Sequence, residues 1–521
     1  MATSPPPYPT YGAATTAGPA FRPAHWWQRR WVRYGALIAV LAISGLVILA
    51  LVREQTGTEG LLVGIGLAVL PVPLLLAAFR WLDQVEPAPW RNLLFAFAWG
   101  ACAAALVAIV ANSFATRWIA TATADPTGAN TLGATVIAPV VEESAKAAAV
   151  LLVFLFRRRN FTGIIDGIVT AGITATGFAF TENILYLGTA FGTDQLTGDR
   201  GIFSVTAATF FVRVVMSPFA HPLFTVLTGI GFGLAARAAE HRRVRRILLP
   251  LCGLLPAMGM HALWNGSSAF GRFGFIAVYG MVMMPVFALL TWLAIWTRQR
   301  ELRTVREELP AYVLAGWLGP AEPFTLGSMR ARRLARDYAG HHLGKQAART
   351  VAQYEAYATS LALLRHRGRR GRAGADFVVR ERELLAELWQ RREVARPALE
   401  YAVRSTAPRH WPGHPRLSPG QPHHRPGQDQ WAGQWPGGQP GQWPGPWASS
   451  RPDPWPGARP GQWPGGAVTP GSWPAPGATA PYGGQPVPPP GATTPYGRPV
   501  PPPGHPGHPT APYPAYSPHW Y

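Results

Sequence analysis

The sequence predicts an all-α fold, a polytopic helical membrane bundle of about eight spans, and three observations predict it. Apolar runs of about 17–25 residues, long enough to cross a bilayer, follow one another through roughly the first 300 residues. Arginines bracket them at Arg29-Arg30, Arg157 to Arg159, Arg242-Arg243 and Arg245-Arg246. That is the placement expected when basic residues mark the cytosolic loops. After Trp296 the composition changes, first to an arginine-rich helical segment and then to a Pro/Gly/Trp-rich tail.

The N-terminal residues 1–34 read as a disordered cytosolic segment. They hold no hydrophobic core, so no cleavable signal peptide is expected and the first span acts as an uncleaved anchor. The spans are read at roughly 35–53, 60–79, 92–112, 132–156, 162–188, 214–236, 247–265 and 273–296, which makes 35–296 the membrane domain. Residues 202–213 read as a re-entrant or interfacial piece, interrupted by Arg213 and Pro218. Arginines ahead of the first span put the N-terminus in the cytosol, and an even number of spans returns the C-terminus there. Residues 297–403 read as a basic helical cytosolic segment, with helical patterns at 328–366 and 376–402. Its charge run Arg365 to Arg372 reads as solvated or lipid-facing. Residues 404–521 form a low-complexity tail, with Gln-Trp-Pro-Gly recurring from Gln434, Gln442 and Gln462. Such a segment cannot bury enough to offset its ordering entropy and is expected to be disordered. Proline-recognising domains are candidate partners for it.

A formal charge of +21 suggests nucleic acid at first sight. The arginines that bracket apolar spans account for it better, so the expected partners are the lipid bilayer and no nucleic acid. Two cysteines, Cys102 and Cys252, both in apolar spans, give neither a disulfide framework nor a zinc–thiolate pattern.

Four polar motifs interrupt the later spans: Glu142-Glu143-x-x-Lys146, Phe178-x-x-x-Glu182-Asn183, Ser217-Pro218-x-x-His221 and His261-x-x-x-Asn265. An ionisable group in a bilayer costs roughly 2.5–3.5 kcal/mol on insertion scales, so each is a functional hypothesis. Lys146 is one of only two lysines in the chain. Glu142 and Lys146 are i and i+4, Glu143 and Lys146 i and i+3, so the ammonium reaches either carboxylate. Adjacent glutamates point about 100° apart, so one faces a cavity while the other takes Lys146. Glu182 follows Phe178, and Asn265 follows His261, at the same helical spacing. With alternating spans the four motifs converge on the outer half of the membrane, Glu142 lying ~15 Å deep at 1.5 Å per residue.

Two imidazoles and a carboxylate leave one position open for water, as a catalytic divalent metal, zinc above all, requires. The assignment is Glu182, His221 and His261 as ligands, with Glu142 as general base and Glu143 and Lys146 orienting it. Glu142 and Glu143 remain interchangeable as base. Asn265 would act as a donor behind the ligands or as oxyanion stabiliser. No His-Glu-x-x-His occurs, so this is not an ordinary zincin.

These motifs resemble the PrsW family of intramembrane metalloproteases, related to the CAAX-processing and bacteriocin-immunity membrane proteases. The residues that carry the resemblance are Glu142-Glu143-Ser-Ala-Lys146, Asp166-Gly167 through Gly177-Phe178-Ala179-Phe180-Thr181-Glu182-Asn183, Pro218-x-x-His221 and His261-Ala-Leu-Trp264-Asn265. The resemblance implies a bacterial multi-pass metalloendopeptidase that cleaves membrane-anchored proteins, anti-sigma factors being the family's best-known targets. The wider group carries a histidine where this chain has Glu182. A proton- or ion-coupled transporter would use the same buried groups, but such proteins are built from internal repeats, and the two halves of this span set share none. A silent scaffold would leave the buried charges unexplained.

Overall fold

The computed structural model describes Pro6 and residues 30–157, 161–199, 201–238, 242–371, 374 and 376–406. The tail beyond Thr406, with the disorder and the proline-motif partners expected of it, lies outside the described residues. The described residues form helices and no strand. In chain order these are α1 (Arg30–Ala68), α2 (Val72–Leu82), α3 (Trp90–Ala98), α4 (Ala105–Thr123), α5 (Pro126–Leu132), α6 (Ala138–Phe156) and α7 (Ile164–Thr197). Then come α8 (Val205–Phe210), α9 (Ala220–Ala236), α10 (Arg243–Gly266), α11 (Gly271–Val278) and α12 (Met284–Glu308). The lobe that follows comprises α13 (Pro310–Leu314), α14 (Glu322–Leu326), α15 (Met329–Leu343), α16 (Lys345–Arg369) and α17 (Phe377–Thr406).

Length and apolarity together mark five continuous helical stretches as able to cross a membrane. The difference from eight has two physical causes. Tyr34–Leu82 and Arg243–Leu314 each contain two of the expected spans, divided at Gly57 and Gly271, whose φ of 74° and 67° only glycine adopts readily. The remaining span is α6, whose Glu142, Glu143 and Lys146 lower its apolarity. The ordered helix also begins at Arg30 and ends at Thr406, a few residues outside the limits expected for the disordered ends. The segment expected to be re-entrant is α8 followed by one wide π-helical turn, Phe211–Met216.

Helix α7 is the axis of the bundle, and 89% of its most apolar window is buried. In lipid, helices associate through close packing, which small residues permit. A Cβ on Gly167 would lie 2.0 Å from the Gly229 carbonyl oxygen of α9, and one on Gly177 would lie 2.1 Å from that of Phe97. On the opposite flank Gly64 meets Ile184 while Gly60 meets Gly188, so the second half of α1 runs antiparallel to α7. Gly231 against Leu249 and Gly253 against Leu227 likewise set α9 and α10 antiparallel.

The lobe has its own core, including Leu326, Tyr354, Leu361, Leu385 and Leu399. It is joined to the bundle by polar contacts. Arg332, 1% exposed, donates to the carbonyls of Leu326 at 2.7 Å and Val85 at 3.0 Å and to Thr359 Oγ1 at 2.7 Å. Ser360 donates to Glu86 at 2.6 Å.

Candidate metal centre

Four elements bring the sequence motifs to one place inside the bundle. Helix α6, opened by Pro139 in its first turn, carries Glu142, Glu143 and Lys146 on its buried face. Helix α7 contributes Phe178, Glu182 and Asn183. The turn Ser217-Pro218-Phe219 starts α9 so that His221 falls in its first turn, and α10 supplies His261.

Glu143 is fully enclosed. Its Oε1 accepts from Lys146 Nζ at 2.8 Å and lies 3.1 Å from His261 Nδ1, while its Oε2 accepts from Thr225 Oγ1 at 2.8 Å. With all three contacts made, Glu143 holds the His261 ring with Nε2 directed away from it, the way a carboxylate orients a metal-binding imidazole. That Nε2 lies 3.8 Å from Glu142 Oε2. Phe224 stacks on the same ring, centroids 5.0 Å apart. Glu142 is held more loosely, by Asn112 Nδ2 at 3.3 Å and Lys146 at 3.4 Å.

His221 lies between two charges. Its Nδ1 is 3.2 Å from Lys146 Nζ and its Nε2 is 2.5 Å from Glu182 Oε2. Glu182 in turn accepts from Arg213 at 2.6 Å, and the same guanidinium donates to Asn183 Oδ1 at 2.7 Å and lies 4.0 Å over the Tyr186 ring. Phe178 is the floor beneath Lys146, whose ammonium sits 3.9 Å above its ring. Asn265 is placed outside this cluster. Its amide donates to the Ala134 carbonyl at 2.9 Å and ties α10 to the wide turn Gly133–Ile137.

Glu142, His221 and His261 each offer a donor atom, and these atoms all lie within 4.8 Å of one another. The set fits a divalent ion on its chemistry, two imidazoles and a carboxylate with a second carboxylate beside them. Among the described residues, three carboxyl groups, Glu142, Glu143 and Glu182, gather around the two cations Lys146 and Arg213, a surplus of acidic groups that suits a cation.

Residues 88–290 match the profile of a family described as PrsW family intramembrane metalloprotease. The matched segment is similar to that family. It carries all four motifs and the Arg213 and Thr225 contacts. The protease PrsW of Oceanobacillus iheyensis is 30% identical over 141 residues, which are 27% of this chain and 57% of that protein. The chain therefore matches a little over half the length of that curated PrsW relative. No solved structure matches. That family is described as one of metalloproteases, which agrees with the donor set of Glu142, His221 and His261.

Three contributors escape a motif reading. Thr225 stands at i+4 from His221 and could have been found by the spacing that paired His261 with Asn265. Arg213, the charge inside an apolar run, was visible in sequence as an interruption of the span. Asn112 lies near the end of a span whose polar residues carry no pattern.

Proposed function

We propose that the bundle is an intramembrane metalloendopeptidase, hydrolysing peptide bonds of membrane-anchored proteins at the centre formed by α6, α7, α9 and α10. The observation that carries this reading is the convergence of Glu142, His221 and His261 on one point inside a helical bundle. In this reading those three residues hold a zinc ion. When bound, such an ion polarises the scissile carbonyl and makes water acidic enough to ionise near neutral pH.

The chain's own residues then divide the remaining work. Glu143 and Thr225 fix the His261 ring, and Lys146 screens the two adjacent glutamates from each other. Glu182 has the most exposed carboxylate of the three, with 18% of its side chain accessible. Arg213 pairs with it beside His221, where it can take a proton from the attacking water and return it to the leaving amine. This exchanges the two roles given to Glu142 and Glu182 by sequence, because donor atoms of Glu142, and not of Glu182, meet those of both imidazoles. Asn265, bonded to Ala134, acts by fixing α10. Cleavage on the extracytoplasmic side, and anti-sigma factors among the substrates, follow from the span order and the family resemblance. The domain limits 35–296 for the protease and 297–403 for a cytosolic lobe belong to the same reading.

The test uses the full chain in proteoliposomes with a single-span reporter whose flexible juxtamembrane segment carries a fluorescent pair. Wild type should cleave the reporter. Glu182→Gln should lower turnover by at least about 100-fold, the usual span of lost general acid–base catalysis, and His221→Ala and His261→Ala should abolish it by removing metal ligands. Cleavage retained in all three would contradict the assignment.

A further inference from the structure

At the end of the bundle where α7 begins and α9 ends, a cavity of about 60 Å³ opens against the lobe. A single water needs only about 10–15 Å³ of such space, so the cavity admits a larger polar group. Arg237 and Arg300 line it from the bundle side, and Arg367 of α16 and Arg370 just after that helix from the lobe, with one carboxylate, Glu301, in the lining. Arg367 closes no ion pair within 4 Å among the described residues: its Nε reaches the Leu363 carbonyl at 3.4 Å, and the carboxylates of Glu86, Asp166 and Asp376 act on it from farther away. Burial pulls that guanidinium below its usual range. Thr297, 2% exposed, also lines the cavity, and its hydroxyl is sealed with no hydrogen-bond partner. Buried polar atoms in native structures are nearly always satisfied, so an orphan hydroxyl in a cavity lined by four arginines points to an absent ligand.

The charge run that reads in sequence as solvated is therefore divided in the structure. Arg365, His366 and Arg369 turn to Glu308, at 3.6, 3.0 and 3.3 Å. Arg367 and Arg370 turn to the cavity. We infer that this cavity is a binding site for a phosphate group, held by Arg237, Arg300, Arg367 and Arg370 and by the Thr297 hydroxyl, bridging the bundle to the lobe. Guanidinium groups suit phosphate because their planar N–H pairs match its oxygens. The site lies where the apolar helices end, at the level of lipid headgroups, and basic pockets between membrane helices take anionic headgroups. An anionic phospholipid and free phosphate share this chemistry.

The experiment measures the melting temperature of the full chain in nanodiscs of phosphatidylcholine. One arm adds increasing phosphatidylglycerol and the other adds inorganic phosphate. A saturable rise is expected in at least one arm, with half-saturation moved at least tenfold by Arg367→Gln and by Arg370→Gln. Arg349→Gln, an exposed arginine on the same helix and outside the cavity, should leave it unmoved. A response to phosphatidylglycerol alone assigns a lipid headgroup, and a response in the phosphate arm assigns free phosphate. Arg370 is exposed, so its variant folds even where Arg367→Gln does not. Absence of a rise in both arms, or an identical rise in wild type and Arg370→Gln, would overturn the site.

Discussion

Glu142 and Glu143 are chemically identical neighbours, and their surroundings give them different work. Glu143 accepts from an ammonium and a hydroxyl and holds an imidazole, all at 3.1 Å or less, whereas the contacts of Glu142 are 3.3 Å or longer. Glu143→Gln keeps the shape and removes the charge that orients His261. The expected result is a folded protein with zinc affinity lowered 10- to 100-fold, the usual effect of losing such a support, measured by chelator competition. Lys146→Met would leave the two glutamates buried without their cation. Breaking a buried pair from one side costs about 3–5 kcal/mol, so the variant should unfold at clearly lower denaturant. Lys146→Met combined with Glu143→Gln should recover part of that loss, and no recovery would mean that packing, not charge, sets the cost. At this scale the sequence was legible as to Glu142, Glu143, Lys146, Glu182 and the two histidines, because a spacing of four puts pairs on one helix face, whereas the same spacing misplaced Asn265, which bonds Ala134 instead. Which oxygen faces which nitrogen was not, since that depends on rotations between helices far apart in the chain.

Helix α7 crosses three neighbours without the separation that side chains normally impose. Gly167 and Gly177 bring the backbones of α9 and α3 against it, where a Cβ would stand 2.0 and 2.1 Å from a carbonyl oxygen. Neither helix can yield alone, because α9 also packs on α10 through Gly231 and Gly253. Gly167→Ala should therefore displace α9, moving His221 away from His261 and lowering the melting temperature in detergent. Gly192→Ala, on the same helix with open space around it, should change neither. Equal stability of the two variants would contradict this packing. Apolarity and length predicted the helices well, and left-handed glycines divide the two longest. The wide turns at Trp99–Ala104, Gly133–Ile137 and Phe211–Met216 were not legible. They differ from ordinary helix by one residue per turn and leave no compositional trace, yet the last of them aims Arg213 at Glu182.

Across the whole molecule, the bundle and the lobe each hold a buried carboxyl group that is incompletely satisfied. Asp83 has Oδ1 sealed without a partner, and burial pushes its carboxyl up to about 7 against the pull of Ala88 N–H and Arg80. Glu355 in the lobe has Oε1 sealed in the same way, and burial likewise raises it to about 7 despite Arg336 and Arg332. The unfolded chain releases these protons near pH 4 and the folded chain near pH 7, so the folded state binds more protons between those values. Stability from these two groups is therefore full below about pH 4 and falls as pH rises to about 7. The melting temperature of the full chain should fall between pH 5.5 and pH 7.5, and Asp83→Asn should flatten that slope. An unchanged slope would assign the dependence to other groups. The sequence announced a basic helical lobe but not its seat, because Arg332 to Val85 and Ser360 to Glu86 join segments more than 200 residues apart.

The central claim is a metal centre built from Glu142, His221 and His261, and elemental mass spectrometry of purified protein addresses it most directly. Wild type should carry close to one zinc per chain. His221→Ala, His261→Ala and Glu142→Gln should lose it, while Glu182→Gln keeps its metal and loses turnover. A well-folded wild type that stays metal-free after incubation with zinc would contradict the account. So would a Glu142→Gln variant that binds zinc as tightly as wild type.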